Sequence, residues 1–257
     1  MKRFQKEISM AGLPEALKDL SADQRARFVM DMFHRIAVHH GLWFSENIHQ
    51  LGLKKALENL FTARDRSLSI QMERLSKVLG FELQNGVPKA LLELSDEGLA
   101  ELIKAIGVNW LANDGVWFQA VEFSSGMFDA KRANDTCWTR FSPFEAESIR
   151  RFLNLPENCG LEGLKAALKF RMYAFINQQS MEDDGPTSFI FRMNDCRVQS
   201  ARKRKGLDDY PCKSGGMAEY PSFAAFIDPR IITECVGCPP DPHPDNWFCA
   251  WRFSLNP

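Results

Sequence analysis

The sequence predicts an α+β protein, with a helical N-terminal region packed on a C-terminal antiparallel sheet unit that carries a cysteine metal site. Three observations lead there. Apolar residues recur at helical spacing through most of the first 180 positions, as they do in amphipathic helices. The run E-D-D-G-P at 182–186 then breaks that pattern. Beyond it, short segments alternate apolar and polar residues like half-buried strands, and five of the seven cysteines fall between Cys196 and Cys249. The expected regions are 1–181, mostly helical, and 187–257, an α+β cysteine-rich unit, joined in one continuous fold.

Residues 1 to about 20 read as a short helix or an arm. Ser21 with Gln24 is a capping-box pattern that opens a long helix to about Gln50. Its apolar stripe runs through Phe28, Phe33, Ile36, Trp43 and Phe44, with His40 on the same side. Of His34, His39, His40 and His49, one is expected in the core and the rest in solvent. His39 and His40 are adjacent, point apart and make no zinc pair. Gly52 ends that helix and a second follows from about Leu53 to Leu79. A short helix is expected over Pro88–Leu94, and Ser95 is placed to cap one that begins near Asp96 and reaches Phe123.

That helix puts Trp110, Asp114 and Trp117 at i, i+4 and i+7, on one face. A carboxylate between two indoles is either held by a partner or has a raised pKa. Glu122 lies on an adjoining face. After Gly126, charges of both signs are interleaved with Phe128, Trp138 and Phe141. Ser142, Pro143 and Glu145 then read as a helix start with Pro at the first helical position, and that helix ends near Leu153. Leu161, Leu164, Leu168, Met172 and Phe175 mark another helix to about Ser180.

In the last third, Thr187–Val198 reads as a strand with Phe189, Phe191 and Met193 on one face. Arg197 and Gln199 would share a face if it continues. Met217–Phe226 reads as a helix, Arg230–Val236 and Trp247–Leu255 as strands, and the Pro-rich 239–246 as a loop. Cys212, Cys235, Cys238 and Cys249 are the expected ligands. C-x-x-C at 235–238 lets two thiolates face one ion from a tight turn, and a hairpin would bring Cys249 to them. Four thiolates suit zinc or a [4Fe-4S] cluster equally. Cys196 is a fifth candidate that could replace Cys212. Cys137 and Cys159 stand alone and read as core cysteines, and His243 reads as a loop residue.

Composition narrows the class. Hydrophobic residues make up 45%, charged residues 25%, and the net charge is −1. That is ordinary for a globular protein and unlike a nucleic-acid or membrane binder. No apolar run approaches the roughly 20 residues of a spanning helix. The N-terminal M-K-R-F-Q-K-E-I-S has no apolar segment followed by a cleavage site, so reduced cytoplasmic thiols are expected rather than disulfides. The basic run Arg202–Lys205, with Arg197 and Lys213 near it, reads as a solvated loop or, functionally, as a site for a carboxylate or phosphate, with nucleic acid the weaker reading. There is no Walker A loop, G-x-G-x-x-G, G-x-S-x-G or H-E-x-x-H, which removes the best-marked nucleotide, hydrolase and metalloprotease sites.

Two resemblances add to these readings. E-C-V-G-C followed by F-C-A-W-R-F resembles the end of 4-vinyl-reductase-type small-molecule-binding domains. The likeness implies an α+β fold shared with subunits of the TRAPP vesicle-tethering complex. It also implies zinc held, as in phenol-sensing members, by a Cys, an acidic residue, a Cys and a Cys. Cys212, Cys238 and Cys249 match those cysteines. Cys235 falls at the acidic ligand, a departure that leaves an iron–sulfur cluster open, and the longer Pro-rich loop before Cys249 is a second departure. The whole chain resembles the DUF6125 proteins through H-G-L-W-F-S-E, N-W-L-A-N-D-G-V-W-F-Q-A-V-E, D-T-C-W-T-R-F-S-P-F-E-A, C-R-V-Q-S-A-R-K-R-K-G-L and Y-P-C-K-S; no activity comes with it. More loosely, the architecture is similar to L-2-amino-thiazoline-4-carboxylate hydrolases, which open a small cyclic amidine, and no catalytic residue carries over from them.

The expected function is that of a metal-binding protein for a small anionic organic ligand. The ligand would lie between the Trp110, Asp114 and Trp117 face and the sheet, with Arg197, Gln199, Arg202 and Lys213 contacting it. One alternative is a hydrolase acting on a C–N bond, with Asp114 or Glu122 as general base. The other is an iron–sulfur redox protein. Neither nucleic acid nor membrane is an expected partner, and a homodimer is left open.

Overall fold

The computed structural model describes residues 16–206 and 208–255. Most of the segment expected as an N-terminal helix or arm lies outside the described residues, which open on a 3-10 turn at Leu17–Asp19. The chain forms two compact units that meet in sequence between Ser67 and Leu68.

In the first unit the capping box forms as the sequence predicts. Gln24 N donates to Ser21 Oγ at 3.2 Å and Ser21 N to Gln24 Oε1 at 2.8 Å, and α1 runs Ala22–Leu51. Gly52 turns the chain at φ 79°, a conformation glycine adopts without strain, and α2 (Leu53–Leu79) returns. Asn59 Nδ2 donates to Asn47 Oδ1 at 3.0 Å between the two helices. The expected core stripe is corrected: no residue of α1 is buried, and His34, His39, His40 and His49 are all exposed. Helical periodicity marks an amphipathic face but does not supply its cover.

The second unit begins with the last turns of α2, from Leu68, and continues into a small hairpin that the sequence reading missed. Strands β1 (Leu83–Gln84) and β2 (Val87–Pro88) pair around Asn85-Gly86, both at positive φ, as a tight primed turn needs. The short helix that follows, α3, covers only Lys89–Leu92. Ser95 Oγ accepts from Gly98 N at 3.1 Å and caps α4 (Asp96–Ser125).

Two helix boundaries differ from expectation, for one shared reason. A single helix, α5, runs Met127–Phe152 with Pro143 inside it, in place of a new start at Ser142. Glu145 does not reach back to Ser142: its carboxylate accepts from Arg171 Nε at 2.8 Å and from Met172 N at 2.9 Å. The long helix expected to Ser180 is likewise broken. It is α6 (Gly160–Leu168), a 3-10 turn at Met172–Phe175 and strand β3 (Gln178–Asp183). The break surrounds Arg171, which is 2% exposed and pairs with Glu145 and with Glu219 Oε1 at 2.7 Å.

The break at 182–186 is a hairpin turn, since β3 pairs antiparallel with β4 (Ser188–Asp195). Then come α7 (Arg197–Lys203), α8 (Lys213–Ile227), β5 (Ile231–Gly237) and β6 (Cys249–Leu255). Arg197 and Gln199 are therefore helical rather than on a strand. The sheet is antiparallel in the order β3-β4-β6-β5. One face carries Phe189, Phe191, Met193, Trp251 and Phe253, all buried as alternation predicts, with Phe191 opposite Trp251 and Met193 opposite Cys249. Helices α5, α6 and α8 supply Ile149, Leu164, Leu168, Tyr220 and Phe223 to the same core. Each such large side chain contributes about 2–3 kcal/mol of burial. Gly216 in α8 is required by Trp251: a Cβ there would lie 2.5 Å from its Cζ2.

Candidate functional site

The thiols meet where the sheet, α7 and the start of α8 converge. Cys235 faces Trp251 across the β5–β6 ladder, and a bulge between Cys235 and Gly237 carries the chain off the strand toward Cys238. Lys213 N donates to Pro239 O at 2.9 Å, which ties the first turn of α8 to that loop. Cys212 Sγ thereby lies 3.5 Å from Cys238 Sγ. Cys249 stands within hydrogen-bonding reach of Cys238 on β6. Among the described residues, no group of three or more His, Cys, Asp or Glu is arranged to hold a metal ion.

These thiols differ in acidity. The hydrogen bond with Cys238 and the donor from Gln199 hold Cys212 below the usual thiol range despite its burial. Bonds with Cys212 and Cys249, together with burial, keep Cys238 protonated. Burial pushes Cys196 up to about 12. It also raises Cys235, against the pull of Lys213. Cys137, expected in the core, is exposed, and Cys159 is half-buried.

Cys196, Cys212, Cys238 and Cys249 line a cavity of about 370 Å³; Cys235 is not among its walls. That volume lies within the roughly 300–1,000 Å³ of small-molecule sites. Its other walls come from α4, α5, α7 and α8. Asp114 of α4 enters with Oδ1 accepting from Asn134 Nδ2 of α5 at 3.2 Å. Burial raises its pKa, against the Asn134 bond and the Lys131 charge. Lys131 Nζ sits 3.0 Å from Asp135 Oδ1 and 4.8 Å from the centre of the Tyr210 ring. Glu219 of α8, held by Arg171, is raised by burial. Trp138 stacks on Tyr173 with ring centroids 5.9 Å apart, and Phe118 meets Tyr210 edge-on; all four line the cavity.

Gln199 is the most firmly held polar wall. Its amide donates to Tyr210 O at 2.9 Å and accepts from Tyr210 N at 2.8 Å. The same nitrogen reaches Cys212 Sγ at 3.5 Å. These two hydrogen bonds to one residue's backbone pin Tyr210 onto α7, two positions before the first thiol.

The cavity gathers Asp114, Glu122, Gln199 and Arg202 from the sequence-predicted set, together with Cys212, Cys238 and Cys249. It does not gather the rest. Trp110 packs behind the wall, against Trp138, Phe141 and Tyr173. Trp117 is 67% exposed although it lies on the same helical face as Trp110. Arg197 is exposed and its backbone N–H donates to Asn177 Oδ1. Lys213 pairs with Asp241 at 2.6 Å and borders a separate surface hollow. Sequence reasoning missed Lys131, Asn134, Trp138, Tyr210 and Glu219 as walls. Lys131, Asn134 and Trp138 recur at i, i+3 and i+7, a facing signal hidden among mixed charges.

The family model described as a family of unknown function, DUF6125, matches residues 90–255. No curated protein and no solved structure matches the chain. No described helix is long and apolar enough to cross a membrane.

Proposed function

The chain belongs to the DUF6125 family, whose function is unknown, and we propose that it is a binding protein for a small organic molecule held in the cavity between α4, α5, α7 and α8. One observation carries this reading: a cavity of about 370 Å³ on which Asp114, Gln199, Arg202 and the thiols converge over aromatic walls. Apolar walls with a few fixed polar groups are what a small-molecule site needs. Asp114 and Glu122, the expected base candidates, serve in this reading as polar anchors.

Gly115 gives the test. It lines the cavity, and a Cβ built on it meets no atom within 4 Å. Gly115→Leu should narrow the site without breaking α4. Ligands found by a thermal-shift screen of the wild type should lose their effect in Gly115→Leu. Compounds that shift both proteins equally would remove this reading.

A second reading, favoured by the thiol spacing, adds a thiophilic ion. Two thiolates bound to one zinc at about 2.3 Å lie about 3.7 Å apart, close to the 3.5 Å between Cys212 and Cys238. Cys212 and Cys238 would be its first two ligands, and Cys249, with Cys196 or Cys235, would have to close in to complete the set, since no three such groups are arranged for an ion among the described residues. A zinc ion would staple the start of α8 to the β5–β6 loop. Elemental analysis of protein purified anaerobically should find one zinc per chain, lost in Cys238→Ser. Visible absorbance with iron and sulfide would favour a cluster instead. A metal-free protein whose melting ignores chelators would end the metal reading and leave the cavity reading untouched.

A further inference from the structure

The charged walls of the cavity divide into those already paired and those left without a counter-ion. Lys131 is spoken for by Asp135 at 3.0 Å, and Glu219 by Arg171 at 2.7 Å. Asp114 and Glu122 have no ion-pair partner among the described residues, and neither do Arg202 and Lys205; all four line the same cavity. One oxygen of Asp114 is bonded by Asn134, which leaves the other for a ligand. Arg202 donates from Nε to Asp208 O at 2.6 Å, and its terminal nitrogens, which make no ion pair among the described residues, are the groups that grip an anion. The aromatic pairs Trp138–Tyr173 and Phe118–Tyr210 form the apolar part of the wall.

A purely anionic ligand would have to lie beside two carboxylates that make no ion pair among the described residues, and a purely cationic one would leave Arg202 unmatched. Building on the small-molecule reading above, we propose that the ligand is a small amino-acid-like zwitterion. Its ammonium group pairs with Asp114, its apolar body lies on the aromatic wall, and its anionic group is held by Arg202. Glu122 and Lys205 add to the same two poles. Aromatic faces also favour the cationic end.

Calorimetric titration of the full chain tests this with the common amino acids and, for each, the amine lacking the carboxylate and the acid lacking the ammonium. At least one zwitterion should bind about tenfold tighter than both its truncated partners, since each truncation removes a charge-assisted contact. Asp114→Asn should weaken the zwitterion and the amine by about tenfold and spare the acid. Arg202→Ala, at a half-exposed position, should weaken the zwitterion and the acid and spare the amine. An acid that binds tighter than its zwitterion overturns the proposal, as does an Arg202→Ala protein that binds the zwitterion undiminished. A neutral apolar compound that binds wild type but not Gly115→Leu, with no zwitterion binding, also overturns it while leaving the cavity reading in place.

Discussion

Asp228 is a carboxylate with no exposed surface that stays ionised because its bonds favour the charge. Arg230 donates from its side chain at 2.7 and 3.0 Å and from its backbone at 3.0 Å, and Gly160 N donates at 2.8 Å. These donors, Arg230 foremost, lower its pKa from the ordinary carboxylate range to about 2. The unfolded chain therefore binds the proton more readily than the folded one. The stabilisation is complete above the unfolded value near 4 and is lost as pH falls toward about 2. Allowing for the half-exposed Arg230, we expect Asp228 to supply roughly 1–2 kcal/mol. Asp228→Asn should lose that amount at neutral pH and flatten the acid limb of a denaturation series between about pH 4 and 2. An unchanged acid limb would count against the bonding described.

At the scale of the element, α5 and the Arg171 junction decide how the helices stack. Ser142 is fully buried and its Oγ has no hydrogen-bond partner among the described residues. An uninterrupted α5 makes Ser142→Ala stabilising by about 1 kcal/mol, since an unsatisfied hydroxyl is removed. A helix start at Ser142 would make the same change cost about 1 kcal/mol, so the sign of the shift in urea midpoint separates the two. Arg171 joins α5, the 3-10 turn and α8 through Glu145 and Glu219. Arg171→Met leaves both carboxylates buried without a cation and should cost about 3–5 kcal/mol. Adding Glu145→Gln and Glu219→Gln should recover part of that loss in chemical denaturation, because the unpaired charges are then gone.

For the molecule as a whole, the sheet, its helical cover and the cavity all fall within the unit that begins at Leu68. The family match also lies within it, over 90–255. A chain starting at Leu68 is expected to fold with the near-ultraviolet spectrum of the cavity aromatics retained and a thermal midpoint within about 5 °C of the full chain's own sheet unit. A fragment with helical far-ultraviolet signal but no cooperative melt would show that the residues before it are needed.

By itself the sequence determined most of the local structure and singled out some of the residues that line the cavity. Ser21 and Ser95 open helices where their capping patterns say, and Phe189, Phe191 and Met193 bury one strand face. Cys212, Cys238 and Cys249 stood out by their clustering with a C-x-x-C, Asp114 by its place between two indoles and Arg202 by its basic run. Such features follow from residues a few positions apart. Tertiary structure alone decided which of them meet. Glu145 leaves its capping partner for Arg171, far along the chain, so one helix absorbs a proline and another ends early. Trp117 and Lys213 turn away from the cavity while Lys131, Asn134 and Glu219 turn into it. The physical reason is that periodicity gives a side chain's angle on its own element, whereas contact depends on the rotation and offset between elements. Buried ion pairs and core packing set those, across separations no local pattern records.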